Sequence, residues 1–446
     1  MDSSMMEART MKAITMAFLA ALASALFAAP ELTLSVEMER PVLPAGPRQL
    51  AYLKVGLAGF EWEKSGSRPG LNVALVLDRS GSMEGDKLER AKDAAKQAVS
   101  FLTQKDILSI VTYETEVRVL LPATRVSDKD RIMRAIDQIY SDGSTALFAG
   151  VSKGAAELRK FLDRDRVNRV ILLSDGLANV GPDRPGDLAD LGASLRREGI
   201  SVTTIGLGLD YNEDLMTRLA QASDGNHAFV REPADLARIF DLEFRDAFAV
   251  VAQDVRIRVR CAPGVRPLRV LNRESEIRGQ EIDLDLNNVY SSQDRYFLIE
   301  VEVPAMSAGQ RIPVAEVSAS YLNMATSKTS SLSGSARALA SASQKEVLSN
   351  RNADVTEKVA LQKSVMASEE AVNLRDKGRV EEAKKLLESN AADLDSLGNE
   401  LNSPALRAAS AQSGMDAGAM EDEAQWGEQR KAMRDDQYST KNQQRY

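Results

Sequence analysis

Apolar and polar residues alternate over 31-ELTLSVEMER-40 and again over 49-QLAYLKVGLAGFE-61. A period of two predicts strands that bury one face. Between them, 41-PVLPAGPR-48 reads as a turn by its Pro and Gly content, and 65-SGSRPG-70 as a linker. From Leu71 to about Ala249 the pattern changes. Nearly continuous apolar runs, 72-NVALVLD-78, 107-ILSIVTY-113, 117-VRVLL-121, 167-VNRVILLSD-175, 200-ISVTTIGLG-208 and 227-HAFV-230, alternate with helical periodicity over 86–103, 128–139, 147–163, 186–197, 213–221 and 233–247. Strands buried on both faces read as apolar runs, and strand–helix alternation predicts a mostly parallel, doubly wound α/β sheet.

Residues 252–331 return to short strands between turns: 254-DVRIRVRC-261, 267-PLRVL-271, 281-EIDLDL-286, 295-RYFLIEVEVP-304 and 312-IPVAEVSASYL-322. This is the pattern of an antiparallel β-sandwich. The strands of 30–66 are too few for a sheet of their own. They are therefore expected to pack with 252–331, which makes the α/β unit, 71–249, an insertion into one β-domain. The Ser- and Ala-rich 332–353 reads as a linker. Two amphipathic helices over 354–402, joined at 376-DKGR-379, suggest a helical hairpin. The stretch 403–446 has few large apolar residues and reads as a mobile tail with one short helix near 426–434.

Composition narrows the function. Apolar residues make up 43% of the 446 residues, enough for a core, but aromatics only 5%, so that core is aliphatic. The net charge of −8, without a basic block, argues against nucleic acid, whose phosphates call for clustered Lys and Arg. Arg9 and Lys12 precede the apolar run 13-AITMAFLAALASALFAAP-30, with small residues at Ala23, Ala25, Ala28 and Ala29. Residues 1–29 therefore read as a secretory signal peptide, with an uncleaved anchor as the alternative. The single cysteine, Cys261, excludes an internal disulfide and suits a buried small apolar role. Together these features suggest an exported protein of a bacterial periplasm or cell surface.

The chemistry concentrates at strand ends. The first apolar run of the α/β unit stops at Asp78-Arg79-Ser80-Gly81-Ser82. Thr145 lies in 142-DGSTAL-147 just before a helix, and Asp175 ends the run 170-VILLSDG-176. In open α/β sheets ligands bind outside the carboxyl ends of the strands. Two carboxylates and three hydroxyls are hard oxygen donors that suit Mg2+, Mn2+ or Ca2+ rather than zinc or copper. With only two anions around it, such a cation stays electron-poor and attracts an outside carboxylate.

Asp78-x-Ser80-x-Ser82, followed by Thr145 and Asp175 in the same strand–helix order, resembles the metal-ion-dependent adhesion site of von Willebrand factor A domains. The resemblance covers about 71–247. It implies that Ser80, Ser82 and Thr145 contact the metal directly or nearly so, that Asp78 and Asp175 act largely through water, and that a partner's acidic residue completes the octahedron. Taken whole, the chain resembles more weakly the bacterial exported proteins of this family likened to calcium-activated chloride channels or inter-α-trypsin inhibitor heavy chains.

Other readings of the same residues stand beside this one. Ser82 or Asp86 is a potential helix cap, and Asp175 a turn residue in Ser-Asp-Gly. A serine nucleophile lacks the Gly-x-Ser-x-Gly elbow, and the only histidine, His227, reads as a partly exposed strand residue. No Gly-x-x-x-x-Gly-Lys-Ser/Thr loop is present for ATP. The function expected is a non-enzymatic, divalent-cation-dependent protein-binding module of the cell envelope. A metal-dependent hydrolase and an auxiliary subunit of a membrane channel or transporter are the alternatives.

Overall fold

The computed structural model describes residues 31–62 and 68–444; the signal-peptide and anchor readings fall on residues outside these. Strands β1 (Thr33–Met38), β2 (Val42–Pro44) and β3 (Gln49–Ala58) come first. The α/β unit follows as β4 (Gly70–Asp78), α1 (Asp86–Phe101), β5 (Ile107–Tyr113), β6 (Val117–Arg125), α2 (Lys129–Asp137), α3 (Leu147–Arg159), β7 (Arg166–Ser174), α4 (Pro185–Arg197), β8 (Ile200–Leu207), α5 (Glu213–Ala222), β9 (His227–Val230) and α6 (Leu236–Phe248). Its six strands lie in the order β6-β5-β4-β7-β8-β9, all parallel except β6, which runs antiparallel to β5.

Alternate residues of β4 build two cores. Leu75 and Leu77 pack with Ala91, Ala95 and Phe240 on one face, and Ala74 and Val76 with Val151, Ala155 and Leu188 on the other. Layers on both faces explain why every residue from Leu71 to Asp78 is buried. The chain steps from β4 to β5 on one side and later to β7 on the other. The carboxyl end of β4 is therefore the switch point of the sheet, where the two sets of loops part and leave a crevice.

The α/β unit leaves the β-domain after β3 and re-enters it at β10 (Val250–Cys261). Strands β11 (Arg266–Val270), β12 (Ile277–Arg278), β13 (Glu281–Tyr290), β14 (Asp294–Val303), β15 (Arg311–Asn323) and β16 (Lys328–Ser341) complete a sandwich of β1-β3-β14-β11 against β12-β13-β10-β15-β16-β2. β3 pairs with β14 along its whole length, from Gln49 opposite Val303 to Ala58 opposite Asp294. Cys261 is buried in this core. Tyr290, Leu322 and Met324 join the core of the α/β unit and bind the two parts together.

Two expectations for the C-terminal part are corrected. The Ser- and Ala-rich stretch read as a linker forms most of β16, paired with β15 from Asn323–Lys328 to Arg311–Leu339. Ser and Ala weigh against a strand locally, but the backbone ladder with β15 overrides that preference. The supposed mobile tail is mostly helical. After α7 (Gln344–Ser349), α8 (Ala353–Asp376) and α9 (Val380–Glu400) come α10 (Pro404–Ala419) and α11 (Trp426–Asn442). Ser403 caps α10, its Oγ accepting the Leu406 N–H at 3.1 Å.

Helix α11 covers the outer edge of β9. Asp435 Oδ1 accepts the Phe229 N–H at 3.0 Å, and the Tyr438 hydroxyl donates to Gly225 O at 2.7 Å. The Gln444 amide serves both backbone groups of His227, accepting from its N–H at 3.0 Å and donating to its C=O at 2.7 Å. An open strand edge is thus satisfied by side chains. Few large apolar residues take part, which is why the segment looks unstructured in the sequence. His227 is fully buried here, not partly exposed; Nδ1 lies 2.8 Å from Thr204 Oγ1 and burial lowers its pKa to about 3.

Burial raises the Asp435 carboxyl to about 7. Its folded value lies above the unfolded value of about 3.9, so the folded chain holds the proton more tightly. That contribution to stability is complete at acid pH below the unfolded value and is lost as pH rises through about 7. Asn at 435 keeps the acceptor for Phe229 without the charge. Asp435→Asn is expected to leave stability at about pH 3 nearly unchanged and to raise it by about 1 kcal/mol or more at about pH 8. Urea unfolding at the two pH values checks this; equal effects at both would sink it.

Candidate metal centre

β4 delivers Asp78, fully buried, to the switch point. Its Oδ1 accepts the Ser80 N–H at 2.8 Å and its Oδ2 the Ser174 hydroxyl at 2.8 Å. Burial pushes this carboxyl up to about 6, against the pull of those two bonds. Beyond it the chain makes a 3-10 turn, Gly81–Met83, anchored by the buried Met83. Arg79 points away: its guanidinium meets Glu114 at 2.8 Å and lies 5.2 Å from the Tyr140 ring centre. Its carbonyl accepts the Asp142 N–H at 2.8 Å, and Gly81 N–H donates to Gly143 O at 3.1 Å. These bonds stitch the first loop to the loop that carries Thr145.

The turn leaves Ser80 Oγ and Ser82 Oγ 3.0 Å apart, and Ser82 Oγ donates to Asp175 Oδ1 at 2.7 Å. Thr145 is held by its backbone: its N–H donates to Asn179 Oδ1 at 2.8 Å, and its carbonyl accepts from Asn179 and Val180. Gly176 shows where its hydroxyl lies. A Cβ there would sit 3.2 Å from Thr145 Oγ1 and 3.3 Å from Ser82 Oγ, so a side chain would fill the space both hydroxyls face. The structure therefore brings all five predicted residues to one place. Asp78, Ser80, Thr145 and Asp175 are buried, and Ser82 is exposed, so the cluster opens to solvent on the Ser82 side.

The oxygens fit a small hard cation. Adjacent ligands of octahedral Mg2+, each about 2.0–2.1 Å from the metal, lie about 2.9 Å apart. The Ser80–Ser82 separation, 3.0 Å, is close to that value. Among the described residues no three His, Cys, Asp or Glu side chains gather into a metal cluster, so any site here must use hydroxyls. The capping reading loses its basis: α1 begins after Gly85, and no side chain caps it.

Two contributors escaped the sequence reading. Ser174 supports Asp78 from the neighbouring strand. Lys87 Nζ donates to Asp175 Oδ2 at 2.5 Å. A cation in the first turn of a helix opposes the helix dipole. The Asp175 carboxylate that Lys87 meets offsets this placement. With Lys87 the cluster holds two carboxylates and one ammonium.

Residues 72–242 match the family model of the von Willebrand factor type A domain. The uncharacterized protein YfbK of Escherichia coli is 31% identical over 217 residues, 48% of this chain and 38% of that protein. The uncharacterized protein sll0103 of Synechocystis is 26% identical over 313 residues, 67% of this chain and 73% of that protein. Human inter-alpha-trypsin inhibitor heavy chain H3 is 27% identical over 168 residues, 36% of this chain and 18% of that protein. The chain thus spans under two-fifths of YfbK and a smaller share of the heavy chain. A solved von Willebrand factor type A protein from Catenulispora acidiphila superposes with a TM-score of 0.67 at 19% identity, covering 84% of this chain and 87% of its own. That coverage extends the shared fold beyond the α/β unit.

Proposed function

We propose, from the premise that residues 72–242 are a von Willebrand factor type A domain, that this chain is a non-enzymatic, divalent-cation-dependent protein-binding module. Domains of this type are typically protein-binding modules. Asp78, Ser80, Ser82, Thr145 and Asp175 would hold Mg2+, or Mn2+ or Ca2+. The cation supplies, when bound, an open position for an Asp or Glu of a partner. The observation that carries the reading is the run of hydroxyl and carboxylate oxygens from Ser80 through Ser82 to Asp175, open to solvent at Ser82. Asp78 orients the loop by accepting the Ser80 N–H. Lys87 and Ser82 fix the Asp175 carboxylate.

A binding role suits these residues better than hydrolysis. His227 is buried three positions back from the carboxyl end of the outermost strand, with Thr204 at its Nδ1. It is remote from Ser80 and Ser82 along the sheet, which leaves these hydroxyls without an imidazole base. With the signal-like N-terminus, the module would act in the cell envelope. Among the described residues no helix is long and apolar enough to cross a membrane.

The test is retention of envelope proteins by the immobilised full chain. Defined partners are expected to bind in Mg2+, to elute with EDTA, and to be missing from an Asp78→Ala column. The same proteins on all three columns would refute metal-mediated binding.

A further inference from the structure

Three large apolar side chains stand exposed around the metal centre, one on each of three loops. Tyr140 is 61% exposed, Leu177 59% and Leu209 48%. They make up three of only eight large hydrophobic residues exposed among the described residues. Each is tied to the site. The Tyr140 carbonyl accepts from Arg79 Nη1 at 3.2 Å, and Arg79 is the residue between Asp78 and Ser80. Leu177 follows Gly176, the position around which Thr145 Oγ1 and Ser82 Oγ converge. Leu209 follows Gly208, whose added Cβ would lie 3.8 Å from Lys87 Nζ, and Lys87 holds Asp175. Burial of the polar centre and exposure of its apolar surround is the reverse of the usual order. It matches a binding surface whose contact area is apolar and whose orientation is set by one polar point.

The charges between these side chains are also selective. Asp142 and Asp210 are exposed on the loops of Tyr140 and Leu209, and Glu84 on the loop that carries Ser80 and Ser82. They repel an incoming acidic segment, except where a cation or Lys87 offsets them. Resting on the proposed metal-dependent binding, we infer that the partner presents a single Asp or Glu flanked by apolar side chains, without a second acidic residue beside it. Its carboxylate meets the metal centre while its neighbours cover Tyr140, Leu177 and Leu209. An acidic cluster or a polyanion does not fit.

The experiment pans the full chain, in excess Mg2+, against two phage-displayed nonapeptide libraries with randomised flanks, one with a central glutamate and one with a central glutamine. Enrichment is expected from the glutamate library alone, with Leu, Ile, Phe or Met at the flanks and Asp and Glu depleted there. Fluorescence anisotropy with an enriched peptide should show about tenfold or greater weakening in the Tyr140→Ser/Leu177→Ser/Leu209→Ser variant. The variant's Mg2+ affinity, measured by calorimetry without peptide, should not change. Enrichment of polar, basic or acidic flanks, or equal peptide binding by the triple variant, overturns the apolar surround and leaves the metal reading intact. No preference for glutamate over glutamine, or peptide binding that survives EDTA, overturns the metal reading itself.

Discussion

Asp78→Asn is expected to weaken Mg2+ and Mn2+ binding by roughly 10- to 100-fold, the range for losing a group that orients a metal's direct ligands. The Asp78 carboxylate accepts the Ser80 N–H on one oxygen and the Ser174 hydroxyl on the other, and so sets the path that brings Ser80 and Ser82 together. Asn retains one acceptor and nearly the same shape, so the fold should survive while half of the local negative charge is removed. Lys87→Met should shift metal affinity the other way. The Lys87 ammonium sits on Asp175 Oδ2 and competes with a cation for that carboxylate. Its removal frees the oxygen and should tighten metal binding several-fold. Isothermal titration of each variant, with circular dichroism as a fold control, measures both shifts. Equal affinity in wild type and Asp78→Asn would remove Asp78 from the site. Weaker binding in Lys87→Met would show that the lysine shapes the site and does not compete for it.

The opposite signs of these effects trace back to what the sequence displays. The acidic and hydroxyl members of the site lie where apolar runs stop, so Asp78, Ser80, Ser82 and Asp175 stand out against strands that are otherwise Val, Leu and Ile. Thr145 stands out through its place before a helix. Lys87 does not, because a lysine on an amphipathic helix reads as solvated until the facing strand end is known. The fold divides in the same way. The α/β unit was legible because strands buried on both faces must be continuously apolar. β16 and α11 were not, since the apolar residues they bury are small or few: Ala336, Ala338 and Ala340 in β16, Met433 and Tyr438 in α11. β16 is held by a backbone ladder to β15, and α11 by Asp435, Tyr438 and Gln444 bonding to the edge of β9. Such long-range polar pairing leaves no periodicity in the local sequence. The burial of His227 is hidden in the local sequence for the same reason, because Tyr438 of α11 and the Gln444 that follows it cover it.

The largest loss of stability should come from the opposite end of β7. Arg169 is fully buried there, its Nη1 3.1 Å from Glu243 Oε2 on α6 and its Nη2 bonded to the Tyr290 hydroxyl on β13. Glu243 also accepts from Thr203 Oγ1 at 2.5 Å and from Asn226 Nδ2 at 2.7 Å. Two strands, the loop before β9 and the last helix of the α/β unit are thereby joined to the sandwich around one ion pair. Arg169→Met removes one partner of a buried ion pair, which typically costs about 3–5 kcal/mol. A domain is stable by only about 5–15 kcal/mol, so the midpoint of chemical unfolding should fall sharply. Adding Glu243→Gln removes the remaining charge of the pair but keeps an acceptor for Thr203 and a partner for Asn226. The double variant should therefore recover more than half of the loss, a coupling that two independent sites would not show. Asp175 follows the other end of the same strand, so Mg2+ affinity at a temperature where the variants stay folded should match wild type. If the double variant were no more stable than Arg169→Met, the loss would lie in packing and not in the charge of Glu243.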